Sequence, residues 1–363
     1  MPFLRISPFN FRNLKSEDID LSAKEIFFVG ENGQGKSNLL ETLYYSSYAS
    51  SFRTHSDAEL IKEGENSMSL RSYYREENGT THSTVIILDK GTKHIEKDGK
   101  VLHDRKDLIN TMPCVLYSHD DLDFAVGSPE RRRFFIDQSL SMYDVMYIDV
   151  MRRYKRVLKN RNICLKEKKY ELLETYDLQL VQHGIEIQSK RKSSVFKFNE
   201  IFGKLYENIT GIDGVSVVYK PSWSEEIQNN LSFDEILNIV KKKREIEKII
   251  CSTMSGPHRD RIIFLRKGEP FIPTASTGQR RLVALILRTA QAVYYSQVTG
   301  KKPVLLMDDV LLELDPEKRQ KVTSLLPEYD QLFCTFLNGE PYSNYKRIDT
   351  IVYKIKSGTW EKE

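Results

Sequence analysis

The sequence predicts an α/β protein, with a mixed sheet and an antiparallel β meander interrupted by an inserted α-helical arm. Three observations carry this. An apolar run rich in strand formers, Glu25 to Val29, leads straight into a glycine-rich turn and then a helix with Leu39, Leu40 and Leu43 at helical spacing. Between Ser67 and Leu102 the period changes to that of strands, with turn signals at Asn78-Gly79 and Asp98-Gly99. From Pro129 to Ile250 turn signals become scarce and long charged helical stretches take over.

In chain order, Asn38 to Tyr48 is the first expected helix and Thr84 to Leu88 a strand of the meander. In the arm, Met151 to Leu173 and Leu178 to Tyr206 read as helices. Breaks at Gly211 to Gly214 and at Pro221-Ser222-Trp223 separate ascending from returning helices, and Phe233 to Ile250 is the return. Strand patterning resumes at Ile262 to Leu265, followed by a helix over Gln279 to Ser296 and the apolar run Pro303 to Met307. A helix over Pro316 to Leu326 and strands Leu332 to Phe336 and Ile351 to Ile355 complete the chain. The expected organisation is an N-terminal lobe over 1–128, a helical insertion over 129–250 and a C-terminal lobe over 251–363.

With 363 residues, 40% hydrophobic and 29% charged, the composition excludes a disordered, collagen-like or membrane-embedded chain. Lys and Arg number 55 against 51 Asp and Glu, so any basic surface must be local. Cys114, Cys164, Cys251 and Cys334 stand far apart without metal-ligand spacing and read as reduced thiols. Residues 1–13 lack the apolar core of a signal peptide. The most apolar helix, Leu282 to Tyr295, is too short to span a bilayer and contains Arg288. The expected setting is cytoplasmic, without membrane insertion.

Gly30-Glu31-Asn32-Gly33-Gln34-Gly35-Lys36-Ser37 fits G-x-x-x-x-G-K-[ST] in full, between a predicted strand and a predicted helix. This is the pattern of a P-loop, or Walker A motif. Its backbone N–H groups curl around phosphate, Lys36 reaches the β and γ phosphates of ATP, and Ser37 ligates Mg²⁺. Far downstream, the apolar strand ending at Met307 runs into Asp308-Asp309. Asp308 stands where a P-loop enzyme holds magnesium, and Asp309 where a carboxylate orients or deprotonates the attacking water. Two acids after a strand are, alone, equally a solvated turn; the P-loop favours the functional reading.

Ser276-Thr277-Gly278-Gln279-Arg280-Arg281 resembles the signature motif of ABC-type ATPases, in which serine and glycine contact the γ-phosphate of nucleotide held by another subunit. Further strings extend the likeness nearly end to end. They are Asn10-Phe11-Arg12-Asn13, Ser51-Phe52-Arg53-Thr54, Gly127-Ser128-Pro129-Glu130 with Arg131 to Asp137, Gly256-Pro257-His258-Arg259-Asp260, and Glu313-Leu314-Asp315. On these residues the chain resembles the bacterial RecF family of DNA repair proteins, relatives of the SMC proteins.

The resemblance implies an ABC-type ATPase head, formed by the two lobes, that dimerises with a second copy around two ATP molecules and is released by slow, DNA-stimulated hydrolysis. It implies nucleotide contacts from Arg12, Gly30, Glu31, Asn32, Gly33, Gln34, Gly35, Lys36, Ser37, Asn38, Ser276, Gly278 and Gln279, with Ser37 and Asp308 on Mg²⁺. Lys36, Asp308 and Asp309 would carry catalysis, and Glu313-Leu314-Asp315 would face the partner's site. Family members act in recombinational repair, replication recovery and SOS induction, with RecR and RecO, on single-stranded, gapped or duplex DNA. An ATPase subunit of another SMC-like or a transporter ABC system is the alternative. The long insertion weighs against the transporter, as does Cys334-Thr335 where transporters place a switch histidine. Asp309 stands where they have glutamate, and the shorter side chain predicts slow turnover.

For DNA, the insertion offers Arg131 to Arg133, then Arg152, Arg153, Lys155, Arg156, Lys159 and Arg161, then Lys166, Lys168 and Lys169. Lys190 to Lys192 and Lys241 to Arg244 add further clusters. These are phosphate contacts without sequence information, or solvated helix faces. Arg131 to Arg133 have a structural alternative, because Phe134, Phe135 and Ile136 follow them into an expected core. His258 and Arg259 read as local hydrogen-bonding residues rather than catalysts.

Overall fold

The computed structural model describes residues 2–76, 78–109, 111–223, 231–310 and 316–363. The first segment runs β1 (Phe3–Phe9), β2 (Ile19–Asp20), β3 (Glu25–Val29), α1 (Lys36–Tyr48), β4 (Ser67–Arg75), β5 (Thr81–Asp89), β6 (Thr92–Lys97), β7 (Lys100–Val101) and β8 (Cys114–Tyr117). Next come α2 (Leu122–Val126), α3 (Pro129–Ser141), α4 (Val145–Lys166), α5 (Leu173–Thr210), β9 (Val215–Lys220), α6 (Phe233–Ile250), β10 (Arg261–Arg266), β11 (Glu269–Pro270) and α7 (Thr277–Thr299). The last segment holds β12 (Val304–Met307), α8 (Pro316–Ser324), β13 (Gln331–Phe336), β14 (Thr350–Lys356) and β15 (Thr359–Lys362). Contacts divide the chain into two compact units, 1–120 with 295–363, and 121–294.

The first unit contains two six-stranded sheets. One is mixed, in the order β15-β14-β3-β13-β12-β8, with all neighbours parallel except the β14–β15 hairpin. Every residue of β3, β8 and β12 is buried, which explains the apolar runs from Ile26 to Val29, Cys114 to Tyr117 and Val304 to Met307: a parallel strand covered on both faces has no polar side. The other sheet, β2-β1-β4-β5-β6-β7, is antiparallel throughout; β4 to β7 are the expected meander, and β1 and β2, not expected as strands, extend it. Alternating burial along β4 gives it one face toward the core. Leu39, Leu40 and Leu43 of α1 join Ile26 and Phe28 of β3 and Leu70 and Ile86 of the meander in one core.

The second unit is mainly helical, around the 22-residue α4 and the 38-residue α5. Helix starts follow local chemistry. Ser128 caps α3 ahead of Pro129, Asp144 caps α4, and Ser232 with Glu235 forms a capping box on α6. Helix α6 covers the expected span, but the arm is not all helix. Residues 215–220, which lie between the two expected breaks and carry no assignment from the sequence, form β9, which pairs with β10 over Arg261↔Lys220 to Arg266↔Val215. Val215, Val217 and Tyr219 are buried and their neighbours are not, a period of two too short to stand out between Gly214 and Pro221. The expected helix over 151–173 breaks at Lys168, whose φ of 58° leaves the helical region. Among the described residues no helix is long and apolar enough to cross a membrane. All four cysteines are free thiols.

Candidate nucleotide site

The P-loop joins the end of β3 to α1 in the first unit. Its first glycine is demanded by packing: a Cβ on Gly30 would lie 2.4 Å from the Ile355 carbonyl oxygen. Gly35 has φ of 113°, a conformation open to glycine and strained for other residues. The loop is braced from outside. Gly358 donates its N–H to the Gln34 carbonyl at 2.8 Å, and Ser357 donates its N–H to Gln34 Oε1 at 2.7 Å. The Gln34 side chain is therefore engaged by the β14–β15 turn. Glu31, Asn32 and Gly33 are exposed.

Unlike α3, α4 and α6, α1 has no side-chain cap and no acid in its first turn. Its own residues therefore leave the first-turn N–H groups without an acid or a side-chain cap, which suits an anion. Lys36 is 4% exposed, and its Nζ donates to the carbonyls of Gly30 at 2.8 Å and Glu31 at 3.1 Å, inside the loop.

Ser37 Oγ donates to Asp308 Oδ1 at 2.8 Å across 271 residues. Strand order makes this possible. Only β13 lies between β3 and β12 and all three run parallel, so the first turn of α1 and the end of β12 meet at the C-terminal end of these strands. The Asp308 N–H donates to Tyr117 O of β8 at 2.9 Å. Burial, with Asp309 alongside, pushes the Asp308 carboxyl above its usual range. Asp309 has a left-handed backbone, φ 54°. Its N–H donates to Thr335 Oγ1 at 2.8 Å, and the Thr335 hydroxyl lies 2.6 Å from Asp309 Oδ1. Sequence reasoning missed Thr335, noting only that no histidine stood there; the parallel register Met307↔Cys334 is what brings it beside the aspartates.

A second missed residue is Glu41, fully buried on α1. It accepts from Arg12 Nε at 2.8 Å and Nη2 at 2.9 Å, which raises the Arg12 pKa. Ser51 also donates to it, and Arg53 approaches at 3.7 Å. Asn38 donates to Asn13 Oδ1 at 2.7 Å and accepts from Arg53 Nη1 at 2.6 Å. The strings Asn10 to Asn13 and Ser51 to Thr54 thus meet on one face of α1, around a buried carboxylate that their sequence positions did not announce.

The signature lies in the second unit. Ser276 Oγ accepts from the Gln279 N–H at 3.2 Å, and Gln279 Oε1 from the Ser276 N–H at 2.8 Å: a reciprocal capping box at the start of α7. Ser276, Thr277 and Gly278 are exposed, and a Cβ on Gly278 would meet nothing within 4 Å. Residues Glu313, Leu314 and Asp315 lie outside the described residues.

The Gly256 to Asp260 string is a structural hub. Asp260 accepts from Arg191 Nη1, Gln188 Nε2, the Ser222 N–H and the Tyr219 hydroxyl. His258 bonds Tyr154 OH through Nδ1 at 2.7 Å and faces the Thr253 carbonyl through Nε2 at 3.1 Å. Burial lowers its pKa to about 4 and keeps it neutral. Arg259 also donates to Thr253 O. Two of the basic residues offered as phosphate contacts are internal: Arg161 is 0% exposed, and Arg191 is buried on Asp137 and Asp260. Arg132 and Arg133, half-buried, donate to the carbonyls of Ile262 and Asp260, in line with their structural alternative. Arg152, Arg153, Lys155, Arg156 and Lys159 are exposed on α4.

The family model for the RecF/RecN/SMC N-terminal domain matches residues 3–359. The DNA replication and repair protein RecF of Treponema pallidum (strain Nichols) is 49% identical over 349 residues, covering 96% of this chain and 98% of that one. That of Leptospira interrogans (strain Fiocruz L1-130) is 31% identical over 343 residues, covering 93% and 92%. A solved structure of the recombination mediator protein RecF with ATP, in the RecFOR pathway, superposes with a TM-score of 0.89 at 28% identity over 100% of this chain and 97% of that one. An Smc head domain from Pyrococcus furiosus, at TM-score 0.57 and 16% identity, shares the fold. From its P-loop to the capped start of α7, the chain belongs to the RecF family of DNA replication and repair proteins.

Proposed function

We propose that the protein is an ATP-driven DNA-binding switch of recombinational repair. It binds ATP at the P-loop, pairs with a second copy through composite sites, holds DNA without strong sequence preference and lets go after slow hydrolysis. The observation that carries the reading is the 2.8 Å bond from Ser37 to Asp308, which brings a hydroxyl at an uncapped helix start to a carboxylate at the end of a buried strand.

The loop amides from Gly30 to Lys36 and the start of α1 hold the phosphates. Lys36 exchanges the Gly30 and Glu31 carbonyls for phosphate oxygens. The Ser37 hydroxyl and Asp308 carboxylate are the hard oxygen donors that Mg²⁺ takes, and they would hold it with the phosphates. Bound there, the ion would offset charge on the phosphate oxygens. Asp309 orients the attacking water and accepts its proton, and its short side chain keeps turnover slow. Arg12 and Asn38 line the approach to the phosphates. Ser276, Gly278 and Gln279, at the exposed start of α7, contact the nucleotide of the other copy, with Glu313-Leu314-Asp315 facing the same site.

The nucleotide-binding lobe of the head lies in 1–120 with 295–363, and the arm lies within 121–294, the unit that also carries the signature. Exposed Arg152, Arg153, Lys155, Arg156 and Lys159 supply phosphate contacts to single-stranded, gapped or duplex DNA. Kinship with a RecF of the RecFOR pathway supports RecR and RecO as partners. As the family resemblance implies, the protein acts in the cytoplasm, in replication recovery and SOS induction. The test is anisotropy of labelled duplex and gapped DNA without nucleotide, with ATP·Mg²⁺ and with ADP·Mg²⁺, dimerisation being followed by light scattering. Binding that strengthens with ATP and fades with ADP is expected; no DNA binding in any state would overturn the reading.

A further inference from the structure

The end of β13 touches both halves of the nucleotide site. Phe336 accepts the Gly30 N–H at 3.1 Å, anchoring the start of the P-loop. The preceding residue, Thr335, is 3% exposed, and its hydroxyl meets both aspartates. It accepts the Asp309 N–H at 2.8 Å and lies 2.6 Å from Asp309 Oδ1 and 3.2 Å from Asp308 Oδ1. A hydroxyl has one hydrogen to give. The distances make Asp309 its main acceptor, while Asp308 Oδ1 already receives Ser37 Oγ at 2.8 Å.

Asp309 needs such support. Its φ of 54° lies in the left-handed region that strains a residue with a Cβ, and a free aspartate side chain would rotate among its wells. Thr335 grips it at two points, the N–H and Oδ1, so that backbone and carboxylate are fixed together.

We infer that Thr335 is the positioning residue for the carboxylate that activates water, holding Asp309 through its N–H and Oδ1 in register with Asp308 and the P-loop. This deepens the proposed nucleotide-site reading and rests on it. Asp309 Oδ2 is left to take the water's proton as the water oxygen bonds to the γ-phosphorus and the bond to the departing ADP oxygen breaks. A threonine hydroxyl does not ionise in the working pH range, so the grip itself carries no charge, unlike an imidazole.

The test compares Thr335→Val, which keeps the shape without the hydroxyl, with Thr335→Ser, which keeps the hydroxyl. Four quantities are read: kcat and KM for ATP, ATP affinity by titration with a fluorescent ATP analogue, and Tm. Thr335→Val is expected to lower kcat by ~10- to 100-fold, the loss that follows a small misplacement of a reacting group. Its KM and analogue affinity should stay within about twofold of the parent, because the binding groups are untouched. Thr335→Ser is expected to recover most of kcat. An unchanged kcat in Thr335→Val, or a loss of affinity and Tm that parallels the loss of kcat, would overturn the positioning role while leaving ATP binding by the parent intact. Failure of the parent to bind the analogue would remove the underlying reading, and the role of Thr335 with it.

Discussion

Arg161 on α4 donates from Nε to Asp177 on α5 at 2.6 Å, with both side chains fully buried. Its Nη2 reaches Glu247 on α6 at 2.7 Å and its Nη1 the Thr253 hydroxyl at 2.8 Å. One guanidinium thus ties together three helices. Arg244, half-buried, adds a second cation to Asp177. Removing Arg161 would leave two carboxylates in a low-dielectric interior with one of their cations gone. Arg161→Ala is expected to destabilise the second unit by about 3–5 kcal/mol, whereas Arg156→Ala, on the exposed face, should stay within about 0.5 kcal/mol. Urea unfolding followed by circular dichroism measures both; equal midpoints would refute the clasp.

His258 gives the same unit an acid sensitivity. Its folded-state pKa is lowered to about 4 by burial, below the ordinary histidine value, so the folded state binds fewer protons than the unfolded state between these limits. Stability from this group is complete above pH ~6.5 and is lost as pH falls toward 4, by at most about 3 kcal/mol. Thermal unfolding at intervals from pH 7 to pH 4 should show a falling Tm that flattens in His258→Gln. An identical pH slope in the two proteins would clear His258 of the effect.

The capping box at Ser276 bears on tests of the proposed composite site. Ser276→Arg removes the cap as well as the proposed phosphate contact, while Ser276→Asp preserves the cap and adds a negative charge. Ser276→Asp is expected to leave ATP affinity within about twofold, because the P-loop is intact, and to abolish ATP-induced dimerisation in light scattering. Dimers of normal strength would show that Ser276 does not meet nucleotide.

Replacing Arg152, Arg153 and Arg156 together by Glu should weaken DNA binding and flatten its salt dependence by about 0.7–0.9 units of log–log slope per lost contact. Anisotropy titrations across a salt series give this slope directly, and an unaltered slope would return these residues to a solvated face. Arg132, Arg133 and Arg191 are unsuitable for this test, since they hold carbonyls and carboxylates inside the fold.

Features set within one short stretch of chain were legible in advance. Gly30 to Ser37, its strand and its helix could be placed because loop, helix start and lysine lie within a few residues of one another. The meander was legible from its turns and α6 from its period. Strand β9 was not, because six alternating residues between turn signals look like a loop until β10 supplies a partner.

By itself the sequence determined the P-loop, the two aspartates after a buried strand, the meander and the family, since each is written in adjacent residues or in strings specific enough to recognise. Only the tertiary structure decided which distant residues complete them. Thr335 reaches Asp309 through the parallel register of β13 on β12, and Glu41 collects Arg12 because α1 packs beside the start of the chain. Arg161 and Arg156 occur in the same basic run, yet one is enclosed and the other exposed. The physical reason is that charge and hydrogen-bonding capacity belong to the residue, whereas burial and partner depend on strand order and on the helix face turned inward.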